Sequence, residues 1–139
     1  MAALARYVRR HAASLRRLAM VVWLGSIAVD IHASLMPDLK LPGAAWNSDK
    51  FCHFATYAWL GGLALVAVPG RRAGRLAAVA MIVLGAALEW GQSFVPPRTA
   101  SVGDALANAA GVLLGVWLVE RWLRDLARPA VSQAGADPS

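Results

Sequence analysis

Ala86-Ala-Leu-Glu-Trp-Gly-Gln-Ser-Phe-Val-Pro-Pro-Arg98 runs from the middle of an apolar segment into a proline turn. Glu89 and Gln92 stand three apart, which puts them on one helical face. The apolar run around them extends from about Leu76 to Val95, within the roughly 17–25 residues a helix needs to cross a bilayer. A carboxylate inside such a span is costly in lipid, so Glu89 must face protein or water and is a functional-site candidate by default. The stretch predicts a membrane helix with a polar inner face.

Composition agrees. Of 139 residues, 58% are hydrophobic and only 16% charged, against about 25% charged in an average soluble chain. Mean hydropathy is +0.50. Three more apolar runs accompany the first: Leu18 to about Met36, Phe51 to about Val68, and Ala105 to about Leu123. The expected fold is all-α, a polytopic four-transmembrane-helix bundle, with no room for a separate soluble domain. Residues 1–17 form a basic N-terminal segment that can lie as a short interfacial helix. Residues 18–124 form the transmembrane domain. Residues 125–139 have little to bury and are expected to be a disordered tail. A cleaved signal peptide is disfavoured, because Asp30 and His32 interrupt the first apolar run where a small-residue cleavage pair would follow. Cys52 stands alone, which excludes an intramolecular disulfide and a cysteine metal motif, and its neighbours suggest packing.

Breakers and caps divide the runs. Pro37, Pro42 and Gly43 lie in an irregular loop, after which Asn47, Ser48 or Asp49 can cap the second helix. Pro69 to Arg75 reads as a tight basic turn, Pro96-Pro97 stops the third helix, and Ser101 or Asp104 can cap the fourth. The formal charge of +6 comes largely from arginines beside the spans, without the exposed aromatic stripe of a nucleic-acid binder. Arg6, Arg9, Arg10, Arg16, Arg17, Arg71, Arg72, Arg75, Arg121, Arg124 and Arg128 all fall on one side, leaving Lys40, Lys50 and Arg98 on the other. The positive-inside rule then places both termini in the cytoplasm.

With that topology, three polar blocks reach the outer face together. Asp49, Lys50 and His53 open the second span, with Tyr57 one turn on; Glu89, Gln92 and Arg98 close the third; Asp104 and Asn108 open the fourth. Asp104 and Asn108 continue into Gly111-x-x-x-Gly115, a seam of small residues suited to close helix packing, within the bundle or against another copy. Asp30 shares the Ser26/Ser34 side of the first span, while His32 points elsewhere.

Four ordered motifs resemble the VanZ-like family, named for a protein associated with teicoplanin resistance in Gram-positive bacteria. They are Ser34-Leu-x-Pro37; Asp49-Lys50-x-x-His53-x-x-x-Tyr57; Glu89-x-x-Gln92-x-Phe94-x-Pro96-x-Arg98-Thr99; and Asp104-x-x-x-Asn108-x-x-Gly111-x-x-x-Gly115. The resemblance implies a small multi-pass inner-membrane protein and names no reaction. Pro97 stands where the family commonly has glycine, and Asp30 and His32 have no counterpart in the pattern.

The expected function is an outward polar pocket that binds or acts on an anionic cell-envelope or glycopeptide-type ligand. Glu89, His53 and Asp104 are the catalytic candidates; Asp49, Lys50, Tyr57, Gln92, Arg98 and Asn108 are the ligand-binding ones. Arginine and lysine suit phosphate or carboxylate, and a histidine near carboxylates can exchange protons near neutral pH. Two alternatives stand beside this: a polar network that only specifies helix packing, and a proton-coupled transporter. The transporter is disfavoured by the Ala, Gly, Leu and Val that fill spans two to four beyond the outer mouth. His53, Glu89 and Asp104 could supply metal ligands, but no His-x-x-x-His or Glu-x-x-His spacing supports one, so neither metal nor cofactor is expected. Ser34, Ser93 and Ser101 lack the context of a serine nucleophile. No nucleic-acid partner is expected, and oligomeric state stays open.

Overall fold

A computed structural model of the chain describes residues 2–36, 46–96 and 99–127. They form four helices: α1 (Ala2–Ser34), α2 (Trp46–Ala67), α3 (Arg71–Gln92) and α4 (Val102–Ala127). Among the described residues there is no strand. Arg98, Lys40 and residues 128–139, on which part of the sequence reading rests, lie outside the described residues.

Three segments are long and apolar enough to cross a membrane: His11–Ser34, Arg71–Gln92 and Val102–Leu126, with mean hydropathies of 1.4, 1.5 and 1.7. The helix α2 does not join them, because Lys50, His53, Thr56 and Tyr57 lower its hydropathy. It is also the helix most extensively packed against the others, above all against α4. A helix shielded by protein needs less apolar surface than one facing lipid. Around the bundle, Leu18, Val21, Val29, Val79, Val83, Leu106 and Leu113 are exposed. Large apolar side chains turned outward on several helices suit lipid and would be an aggregation liability in water.

Contacts fix the helix directions. Tyr57 meets Asp30 and Leu60 meets Trp23, so α1 and α2 run antiparallel. Arg75 meets Glu120 at one end and Glu89 meets Ser101 at the other, so α3 and α4 are antiparallel too. Helices α2 and α4 run parallel and touch backbone to backbone. A Cβ placed on Gly111 would fall on the Phe54 carbonyl oxygen, and one on Gly115 on the Ala58 carbonyl oxygen. From the other side, a Cβ on Gly61 would come 2.9 Å from Val112 Cα. The Gly111/Gly115 seam is therefore used inside the bundle. Lipid offers little hydrophobic drive between helices, so such close packing carries much of the association.

Several boundaries depart from the sequence reading. Helix α1 is continuous from Ala2, with no break between basic segment and span. Helix α2 begins at Trp46, which places Asn47, Ser48 and Asp49 inside the first turn and not at the cap. Helix α3 begins at Arg71, inside the expected turn; the sharp reversal is confined to Pro69-Gly70, where Gly70 takes φ 92°, a backbone that favours glycine. Its end comes at Gln92, after which Ser93, Phe94 and Val95 donate to carbonyls three residues back in a tightened turn. Cys52 is exposed and does not pack in the core.

Candidate functional site

Helix starts and ends position the polar groups. Ser101 caps α4: its hydroxyl accepts the Asp104 N–H at 3.2 Å. In a capping box the acid three residues on would reach back to the Ser101 N–H. Here Glu89 of α3 takes that amide, with Oε2 at 3.1 Å, and the Asp104 carboxylate is left to another partner. That partner is Lys50, whose Nζ lies 2.7 Å from Asp104 Oδ1. At that distance the contact is a charge-assisted hydrogen bond between ammonium and carboxylate. A cap on one helix, an acid from a second and a lysine from a third thus interlock.

His53 stands beside this junction. Its Nε2 lies 3.8 Å from Glu89 Oε1 and 3.9 Å from Asp49 Oδ1, both too long for direct hydrogen bonds. Each gap suits a water or an ion. Asp49 is open to solvent, whereas Glu89 and Asp104 are only 4% and 6% exposed. Buried charge of this kind costs several kcal/mol unless partners compensate it. Lys50 compensates one carboxylate; His53, when protonated, compensates a second.

One helical turn deeper lies a second layer. Tyr57, four residues from His53, donates its hydroxyl to Asp30 Oδ2 at 3.0 Å. Gly85, four residues before Glu89, makes room: a Cβ there would come 2.8 Å from the Tyr57 ring and 3.0 Å from Asn108 Nδ2. Asn108 is buried below Asp104, and its Oδ1 has no hydrogen-bond partner among the described residues. The same is true of Gln92 Nε2.

Three of the expected residues, His53, Glu89 and Asp104, meet as the sequence suggested, joined by Asp49 and Lys50. Tyr57 and Asn108 lie one layer in. Gln92 is buried on the Glu89 side of α3 without a described contact to the cluster, and Arg98 lies outside the described residues. Asp30, which is not among the expected site residues, closes the inner layer from α1. The signal that could have found it is the one that found Glu89: a carboxylate within an apolar run, on that helix's small polar face. His32 is exposed, away from the cluster, as its register indicated.

Among the described residues, Asp49, His53 and Asp104 could together hold a metal ion, each offering one ligand atom, and these atoms lie within 4.8 Å of one another. The set differs from the one weighed from sequence, because Glu89 is turned to the Ser101 amide and Asp49 takes its place. In the present geometry Lys50 already supplies the cation at Asp104. The arrangement can do two things directly: hold a polar group at the half-exposed Lys50, and pass a proton between His53 and a carboxylate through one bridging water.

Residues 5–124 match the family model described as VanZ/LLP1, a match that spans nearly all of the four helices. The chain belongs to the VanZ/LLP1 family. The match includes each ordered motif from Ser34 to Gly115. No curated protein and no solved structure matches significantly. Apolar helices and VanZ/LLP1 membership together point to a multi-pass membrane protein.

Proposed function

We propose that this VanZ/LLP1 protein crosses the bacterial inner membrane four times, with both termini in the cytoplasm, and that its polar end faces outward to bind the anionic head of a cell-envelope amphiphile. The fourth span is α2, whose polar face is turned to its neighbours. Arginine bias supports the orientation, since Arg71, Arg72, Arg75, Arg121 and Arg124 gather at the end opposite Lys50 and His53. Reporter fusions at Gly70 and at the C-terminus test it; a periplasmic signal from either overturns the orientation.

One observation carries the binding reading: charged groups from three helices converge at a single end, with a part-exposed ammonium at the rim. Lys50 keeps donors to spare after its bond to Asp104. The nearby described acids outnumber the cations, so an anion would need Arg98 as well as Lys50. Lipid-linked phosphates, peptidoglycan precursors and acylated glycopeptides all present such a group. Native mass spectrometry of detergent-purified protein should show an envelope amphiphile that co-purifies with wild type and is lost from Lys50→Gln/Arg98→Gln. Equal retention by that variant rejects the anion-binding role.

A second reading has its own support. Three polar bonds of the cluster cross between helices: Lys50–Asp104 joins α2 to α4, Glu89–Ser101 joins α3 to α4, and Tyr57–Asp30 joins α1 to α2. Such a network can serve packing alone. If Glu89→Gln fails to accumulate while paired apolar replacement of Lys50 and Asp104 restores folding, the structural role is favoured. Accumulation of Glu89→Gln with loss of the bound amphiphile favours the functional one.

A further inference from the structure

At the opposite end of the bundle, α2, α3 and α4 enclose a groove of about 250 Å³ lined by Leu65, Arg71, Gly74, Glu120, Leu123 and Arg124. We propose that this groove binds an anionic phospholipid, its phosphate held by Arg71 and Arg124 and the start of an acyl chain lying against Leu65 and Leu123. The site is separate from the polar cluster and does not depend on the function assigned there.

Charge complementarity favours this occupant. Glu120 is shielded in the groove and takes Arg75 Nε at 2.6 Å, a short charge-assisted contact that neutralises it. Arg124 Nη1 lies farther from the same carboxylate, at 3.6 Å, and its side chain stays about half exposed. Arg71 and Arg72 form no ion pair among the described residues. Arg16 and Arg17 are exposed on α1, near this end. The groove therefore offers guanidinium groups with donors unspent, and guanidinium matches the oxygens of a phosphate.

Position favours a lipid over a soluble anion. Trp117 and Trp122 are half exposed on α4 at this end, and Arg121 lies 5.7 Å from the Trp117 ring centre. Exposed tryptophans with adjacent arginines mark the depth of lipid headgroups. Basic pockets between membrane helices are suited to anionic headgroups. Leu65 and Leu123 supply an apolar wall that a free phosphate would not use.

Full-length protein in neutral detergent, supplied with phosphatidylglycerol or phosphatidylcholine, tests the proposal by native mass spectrometry. Wild type should retain phosphatidylglycerol about tenfold better than phosphatidylcholine, and Arg71→Gln/Arg124→Gln should erase that preference. Leu123→Trp, which fills the groove without changing charge, should also weaken retention. The charge-matched Arg72→Gln/Arg121→Gln variant, outside the groove, should keep the preference, as should excess inorganic phosphate. Circular dichroism confirms that each variant is folded; if the groove double does not fold, the Leu123→Trp result decides. Equal binding of the two lipids overturns the proposal. So does equal loss in the charge-matched control, which would mean diffuse attraction to a basic surface.

Discussion

Lys50–Asp104 and Arg75–Glu120 are two short ion pairs of almost the same length, 2.7 and 2.6 Å, at opposite ends of the bundle. Their surroundings differ. Around Lys50 and Asp104 stand Glu89, Asp49 and His53, with a tyrosine–aspartate pair one turn deeper. Around Glu120 stand exposed arginines and two tryptophans. The first neighbourhood concentrates carboxylates where apolar packing makes charge costly; the second surrounds one neutralised acid with surplus positive charge. The chemistry of a site thus follows from the charge balance around a pair, and neither pair by itself reveals it. One end is suited to holding a polar head or a proton, the other to resting in a headgroup layer.

The comparison breaks most completely if α2 and α4 are forced apart, because both ends depend on their contact. Gly111→Leu would drive a side chain into the Phe54 backbone. Membrane accumulation should collapse and any extracted protein should aggregate on size-exclusion chromatography. Gly25→Leu is the control, since a Cβ there meets nothing within 4 Å; normal behaviour of Gly111→Leu would show that the α2–α4 contact is not limiting. Next in size is a paired test of the two carboxylates. Glu89→Gln should lose at least about tenfold in retention of the outer ligand while still accumulating. Glu120→Gln should leave that retention unchanged and lower thermal stability only slightly. Identical outcomes for the two would remove the distinction between the ends.

A smaller effect concerns the Lys50–Asp104 pair, whose 2.7 Å contact joins α2 to α4. Lys50→Met leaves the buried Asp104 carboxylate without its ammonium, so melting curves in detergent should shift to lower temperature; an unshifted midpoint would exclude a contribution from the pair. The smallest effect is expected from Tyr57→Phe, which removes one interhelical hydrogen bond to Asp30. Chemical unfolding should register about 0.6 kcal/mol, and at most about 1.7 kcal/mol. A larger loss would mark the inner layer as a structural keystone.

Much of this was legible without coordinates. Run length, breakers and periodicity are local properties and predict the helices; the arginine distribution adds the shared end of His53, Glu89 and Asp104. Reading Asp104 as only a cap would have been a mistake: Ser101 is the cap, and Glu89 completes it, which frees Asp104 for Lys50. That exchange depends on how far α3 and α4 are rotated about their own axes, which no single-helix pattern encodes. Asp30 was missed for a related reason. Its face was correct, but its partner Tyr57 lies on another helix, 27 residues away.

The sequence alone determined that polar groups of several helices would share one end, because arginine distribution and helical period act on each segment independently. Only the tertiary structure decided which groups touch. Gly61, Gly111 and Gly115 bring the α2 and α4 backbones together, and that approach sets the helix rotation. Rotation in turn assigns Lys50 to Asp104, turns Glu89 to Ser101, and leaves His53 between two carboxylates.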